Sequence, residues 1–98
     1  MERRIRKELF NLGIFSNMKG YRYIIEAVKQ FSCSVTMKEI LERIAESNGK
    51  SKNNVESAIR SAIKTGKHEL PAWENYDCQT VKDFIATMYY RTKESANE

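Results

Sequence analysis

The sequence has few of the residues that build loop-rich, secreted or membrane-spanning proteins. Four glycines and one proline in 98 residues argue against disorder and against loop-rich all-β folds. The two cysteines, Cys33 and Cys78, are far apart and form no CxxC pattern, so we expect reduced thiols in a cytoplasmic protein. No uninterrupted apolar run is longer than that of Tyr23–Ile25, which is far shorter than the roughly 20 residues of a membrane span. The N-terminus is charged where a signal peptide needs an apolar stretch, so secretion and membrane insertion are not expected.

Residues that could support catalysis or metal binding are equally scarce. The single histidine, His68, has Glu69 beside it and Cys78 further along the chain, but neither CxxC nor HxxxH spacing supports a metal site. There is no glycine-rich phosphate loop and no nucleophile elbow. We therefore predict a protein that is not an enzyme and that binds no metal, cofactor or small-molecule substrate.

Positive charge is concentrated in two segments. The net charge of the chain is +4. Residues 47–67 carry a net charge of +4 and residues 1–7 a net charge of +3, so the rest of the chain is acidic overall. Such segregation is typical of proteins that bind a polyanion such as nucleic acid, although a solvated helix face can also be basic. The basic residues of segment 1–7 are Arg3, Arg4, Arg6 and Lys7. We predict that they form a solvated face, with a phosphate-contacting arm as the alternative.

Hydrophobic residues recur with a helical period along the whole chain. No stretch alternates with period two, which predicts an all-α fold forming one domain over residues 1–98. The five predicted helices span Glu2–Leu12, Met18–Ser32, Thr36–Glu46, Ser51–Lys64 and Thr80–Arg91. The stretch from Pro71 to Gln79 is predicted as a loop, with one helical turn around Trp73 left open. Residues 92–98 are polar and are expected to be frayed or disordered.

Local signals mark most of the helix ends. Gly13, followed by the apolar Ile14, predicts a Schellman-type ending for the first helix. Thr36 and Glu39 form a capping box at the start of the third helix. The other predicted end signals are Ser16 or Asn17 at the start of the second helix, Gly49 after the third, Ser51 and Gly66 around the fourth, and Thr80 with Asp83 at the start of the last.

The fourth helix divides into an apolar face and a polar, basic face. Its apolar residues recur at helical spacing and are predicted to point inward: Val55, Ala58, Ile59, Ala62 and Ile63. The opposite face carries amides, hydroxyls, one acid and cations, which suit DNA base edges and phosphates. With the residues of the preceding turn, the predicted DNA-binding residues are Lys50, Ser51, Lys52, Asn53, Asn54, Glu56, Ser57, Arg60, Ser61 and Lys64.

The third and fourth helices together follow the plan of a helix-turn-helix. A helix, a tight turn containing Gly49 and a capped second helix with a polar outer face are its elements. The small residues Ala58 and Ala62 on the inner face allow close packing against a neighbouring helix, and Gly20 allows another backbone to approach. An ordinary αα-hairpin in a helical bundle is the alternative interpretation.

Several segments resemble the C-terminal DNA-binding effector domain of the stage-zero sporulation response regulator family. They are Leu12–Ile14, Lys19–Tyr23 and above all Val55–Ile63, with Phe84–Ala86 fitting the last helix. The family shows a similar LGI, KGYxYL and VERAIRHAI progression, and the resemblance extends from about Leu9 to Met88. It implies an all-α core of about six helices with helix-turn-helix elements at Thr36–Glu46 and Ser51–Lys64. It also implies a transcription factor that binds tandem DNA sites as a dimer.

The resemblance carries over to only part of the DNA-reading helix. Glu56 and Arg60 match an acid and an arginine of that helix in the family. Where the family pattern has two arginines and a histidine, this chain has Asn54, Ser57 and Ser61. Asparagine and serine cannot reproduce bidentate guanidinium contacts to guanine, so we expect a changed DNA sequence preference. The alternative is a protein-interaction module that kept the fold and lost specific DNA reading.

Two expectations concern the whole protein. The chain begins directly on the first helix, so we expect either a fragment of a regulator with a receiver domain or a stand-alone effector. Trp73, Tyr76, Tyr89 and Tyr90 are more aromatic residues than one end of a small core needs. We therefore expect a homodimer on DNA formed by the region after Pro71 and the last helix.

Overall fold

The computed structural model describes residues 2–32, 34–76 and 79–93, and every regular element in these ranges is helical. The elements are α1 (Glu2–Asn11), α2 (Gly20–Gln30), α3 (Met37–Asn48), α4 (Lys52–Thr65), a 3₁₀ helix (Pro71–Asn75) and α5 (Val81–Thr92). The predicted all-α fold is confirmed, and the 3₁₀ helix contains Trp73. The predictions for Cys33, Cys78 and residues 94–98 lie outside the described residues.

Side-chain caps start three of the helices as predicted. Thr36, Ser51 and Thr80 directly precede α3, α4 and α5. Each side-chain oxygen accepts a hydrogen bond from the backbone N–H three residues further on, at 3.2, 3.1 and 3.0 Å respectively. These bonds satisfy N–H groups that have no partner within the helix.

Left-handed glycines end α1 and α3, also as predicted. Gly13 has φ +73°, and the N–H of Ile14 donates to the carbonyl of Leu9 at 2.9 Å, which is the Schellman pattern. Gly49 has φ +63° at the end of α3. A residue with a Cβ atom is strained in this conformation, so glycine fits both positions.

The start of α2 differs from the prediction. The helix begins at Gly20 rather than Met18, and Lys19, which precedes it, makes no capping side-chain bond. The expected cap from Ser16 or Asn17 is therefore wrong. The residues before α2 form turns with their own backbone hydrogen bonds, so α2 does not extend to the N-terminal side of Gly20.

The end of α2 also lies earlier than predicted. The helix ends at Gln30 rather than Ser32, because Phe31 is extended, with φ −63° and ψ 133°. The ring of Phe31 packs on Tyr89 of α5, with 5.1 Å between the ring centroids. Phe31 is therefore half-buried at the edge of the core.

The core is organised around α2, which contacts each of the other four α-helices. Ile24, Ala27 and Val28 of α2 are completely buried. The other helices contribute further buried apolar residues to the core: Ile5 and Leu9 of α1, Ile40, Leu41, Ile44 and Ala45 of α3, and Val81, Phe84, Ile85 and Met88 of α5. On α4, Ala58 is half-buried rather than buried, because it lies at the edge of the contact with α2.

The segment after α4 folds back onto the end of α1. Trp73 is buried, and its indole N–H donates to the carbonyl of Leu12 at 2.9 Å. The ring of His68 stacks on Trp73 at 4.0 Å. Gly66 ends α4 without a left-handed φ, and a Cβ atom there would lie 2.6 Å from the Trp73 ring.

None of the described helices has the length and apolarity needed to cross a membrane.

Candidate nucleic-acid interface

The two faces of α4 are separated as the sequence predicts. Val55, Ile59, Ala62 and Ile63 are buried against the core. All ten predicted DNA-binding residues have accessible side chains. Exposed are Lys50, Ser51, Asn53, Asn54, Ser57, Arg60, Ser61 and Lys64, and partly exposed are Lys52 and Glu56. The structure therefore brings these residues together on one accessible surface, which we call the α4 face.

A three-residue connection fixes the position of the α4 face relative to α3. Gly49, Lys50 and Ser51 link the two helices, and the helices pack directly on each other. The N–H of Lys50 donates to the carbonyl of Ala45 at 2.9 Å, which closes the end of α3. The next residue, Ser51, caps α4. Both ends of the connection are thus held by hydrogen bonds, and the first turn of α4 is presented to solvent.

Most of the positive charge on the α4 face is not neutralised by neighbouring side chains. Arg60 pairs with Glu56 one turn earlier, at 3.2 Å, and 67% of its side chain remains exposed. Within the described part of the chain, Lys50, Lys52 and Lys64 form no ion pair. Three ammonium groups are therefore available to an external anion, and Glu56 holds the Arg60 guanidinium along the helix.

A groove of about 640 Å³ runs beside the first half of α4. One wall is formed by Lys19 and Tyr23 from the start of α2, and the other by Lys50 and α4 residues including Asn54 and Ser57. Lys19 and Tyr23 were not among the DNA-binding residues predicted from the sequence. Two features of the sequence could have indicated them. Lys19 and Tyr23 are four residues apart and so share one face of a helix, and Gly20 between them allows that helix to pack closely on the small residues Ala58 and Ala62 of α4.

The N-terminal basic segment lies apart from this groove. Arg6 pairs with Glu2 at 2.7 Å, and Lys29 also contacts Glu2 at 3.2 Å. These hydrogen bonds hold the pKa of Glu2 below its ordinary value. Among the described residues, α1 contributes none to the lining of the groove. Charge in the N-terminal segment is thus partly neutralised within the protein.

His68, the histidine considered for a metal site, has other contacts. His68 stacks on Trp73, and its Nε2 atom is 2.7 Å from the carbonyl oxygen of Ile63 at the end of α4. Cys78 lies outside the described residues. In the described ranges, no three His, Cys, Asp or Glu residues are grouped closely enough to hold a metal ion. The position of His68 is explained by packing and hydrogen bonding.

An all-α fold with an accessible, basic helix after a short turn is the architecture of many small DNA-binding domains. Residues 5–98 match the protein family described as Sporulation initiation factor Spo0A C terminal, so the chain belongs to this family. The family is one of DNA-binding regulatory domains, and the resemblance inferred from the sequence is confirmed. Comparisons with curated proteins and with solved structures gave no match.

Proposed function

We propose that this chain is a sequence-specific DNA-binding transcriptional regulator of the cytoplasm in which α3 and α4 act as a helix-turn-helix. In this proposal α4 enters the major groove of double-stranded DNA, and residues 1–98 act as one DNA-binding domain. The observation that carries the proposal is the accessible α4 face, which has three unpaired lysines within the described residues and begins at a capped helix start. Membership of a DNA-binding family supports it.

The side chains of the α4 face suit two kinds of contact. Arg60 can bind guanine in a bidentate manner, and Asn53 or Asn54 can bind adenine through N6 and N7. The unpaired lysines and the hydroxyl groups suit phosphate oxygens, which set the position of the protein on the duplex. Glu56 orients Arg60 through their ion pair, so the guanidinium is partly preorganised for a base contact.

Replacing Arg60 with alanine tests the proposal directly. If Arg60 contacts a base, the loss of binding free energy should be about 1–3 kcal/mol, and specificity should relax at one base position. Arg22→Ala is a matched control, because this substitution removes the same charge from a different surface. Arg22 is exposed on α2 beside Glu2 and Arg6. Affinities measured by fluorescence anisotropy on selected duplexes would contradict the proposal if both variants bind like the wild type.

We also propose that a homodimer on DNA forms through surfaces outside α4. Two of the aromatic residues on which the sequence-based prediction of a dimer rested are engaged inside the protein. Trp73 is buried and Tyr76 donates a hydrogen bond to Glu8, so these aromatic residues have internal partners. Tyr90 is 53% exposed at the end of α5, and Pro71 is exposed in the 3₁₀ helix. Sedimentation on DNA with two adjacent sites would show a cooperative dimer, and single non-cooperative binding would contradict it.

A protein-interaction module is the second candidate function. The observation that favours it is an exposed aromatic pair at the end of α1, where Phe10 is 68% and Phe15 is 36% exposed. Their rings lie edge to face at 6.0 Å, and exposed apolar groups are common at protein interfaces. Retention on heparin and a salt-dependent gel shift would support DNA binding, whereas the absence of both would favour this second function.

A further inference from the structure

We propose that the groove between α2 and α4 is a binding site for the sugar-phosphate backbone of DNA, in which Lys19 and Lys50 contact phosphates from its two walls. This inference rests on the proposed function and extends the DNA-binding surface from the α4 face to a second helix. Lys19 and Tyr23 belong to the start of α2, whereas the reading residues belong to α4 and the turn before it.

The position of the groove relative to α4 is what points to a phosphate strand. An α-helix with its side chains is about 10–12 Å across, and the major groove of B-DNA is about 12 Å wide. A helix that enters the major groove is therefore flanked by the two phosphate strands. Groups that lie beside such a helix, as Lys19 and Tyr23 lie beside α4, meet the backbone on that side.

The chemistry of the groove suits an anion. Its lining contains two lysines and no acidic residue. Neither Lys19 nor Lys50 forms an ion pair within the described residues, in contrast to Arg60, which pairs with Glu56. The hydroxyl of the half-buried Tyr23 has no hydrogen-bond partner there either, so it can donate to a phosphate oxygen. Asn54 and Ser57 on the opposite wall are uncharged and polar.

Close packing holds Lys19 in this place. Gly20, the next residue, meets α4 so closely that a Cβ atom there would lie against the carbonyl oxygen of Ala58 and 2.9 Å from the Cβ of Ala62. The backbone beside Lys19 is thus fixed against α4 by contact of main chain with main chain. A lysine attached to such a rigid support can contact phosphate with less loss of conformational freedom than one on a free loop.

The salt dependence of DNA binding tests this site. We expect Lys19→Ala and Lys50→Ala each to reduce the slope of log affinity against log salt by about 0.9, because each releases one counterion fewer. Each variant should weaken binding to a preferred and a scrambled duplex by the same factor. Lys82→Ala is the matched control, since Lys82 is exposed on α5 and α5 contributes nothing to the groove lining.

A modified duplex locates the contact. Replacing single phosphates by neutral methylphosphonates should identify one linkage at which the loss caused by Lys19→Ala disappears. An unchanged slope and affinity for Lys19→Ala, while Arg60→Ala still weakens binding, would overturn the inference and leave the proposed function standing. If the wild type binds no duplex at any salt concentration, both the function and this site are wrong.

Discussion

At the scale of single residues, Gly20 shows how one missing side chain determines the geometry of the site. Gly20 lies at the start of α2 and is buried against α4. Its neighbours there include backbone atoms, since an added Cβ would lie 2.8 Å from the carbonyl carbon of Ala58. Backbone atoms cannot rotate away as a flexible side chain can. A larger residue at this position must therefore separate the two helices that form the groove.

We expect Gly20→Ala to lower the free energy of unfolding by about 1–3 kcal/mol, the usual cost of overpacking. Gly49→Ala is an informative comparison, because nothing lies within 4 Å of an added Cβ there and the cost comes from φ +63° alone. That conformational cost should be about 1–2 kcal/mol. Urea denaturation measures both values. A Gly20→Ala variant as stable as the wild type would show that α2 and α4 are not in close contact.

Tyr76 is a second residue with a measurable effect, because its hydroxyl donates to Glu8, which also accepts from Arg91 at 2.9 Å. Burial and the hydrogen bond to Glu8 raise the pKa of Tyr76 well above its ordinary value. The folded state thus keeps the phenol protonated. Its contribution to stability is complete below the unfolded pKa of about 10 and declines as the pH rises above that value.

Tyr76→Phe should therefore cost about 1.5–3 kcal/mol at pH 8, the range for a hydrogen bond to a charged group. Above about pH 10 the wild type should lose up to about 1.4 kcal/mol per pH unit from this residue, and the variant should not. The difference in unfolding free energy between the two proteins should consequently shrink from pH 8 to pH 11. A constant difference in urea denaturation across this range would show that Glu8 does not hold the phenol.

At the scale of helices, the start of α4 combines a folding signal with the candidate site. Ser51 caps the helix and is itself one of the predicted DNA-binding residues. Ser51→Ala should lower the unfolding free energy by about 1 kcal/mol through loss of the cap. Thr80→Ala should cost a similar amount at α5, away from the groove. If only Ser51→Ala also weakens DNA binding beyond its effect on stability, the α4 start contributes to the interface.

Helix ends were predictable from the sequence where a short local signal decides them. Thr36, Ser51 and Thr80 cap their helices as expected because the cap needs only the residue and the three that follow it. The ends of α2 were not predictable in this way. Phe31 leaves the helix to pack on Tyr89, a residue far along the chain, and such tertiary contacts override the local helical pattern.

At the scale of the whole molecule, the same distinction separates the two walls of the groove. The α4 wall was predictable because the periodicity of one helix separates its buried and exposed faces. The α2 wall was not, because Lys19 and Tyr23 approach α4 only through the packing of Gly20 against Ala58. Sequence spacing within a helix identifies a face, whereas a surface formed by two helices depends on how they pack.

DNA sequence preference is the property of the whole molecule that depends most on the departures from the family pattern. Asn54 and Ser57 replace arginines of that pattern, and Asn54 offers the amide group that pairs with adenine. We expect the selected DNA site to be richer in A·T than the site of the family.

Asn54→Ala should then weaken binding only to the selected site, by about 1–3 kcal/mol. Lys52→Ala should weaken binding to all duplexes alike, because a phosphate contact carries no sequence information. Selection from random DNA, followed by affinity measurements at two salt concentrations, distinguishes these effects. Recovery of the family's own site at undiminished affinity would show that Asn54, Ser57 and Ser61 do not set the preference.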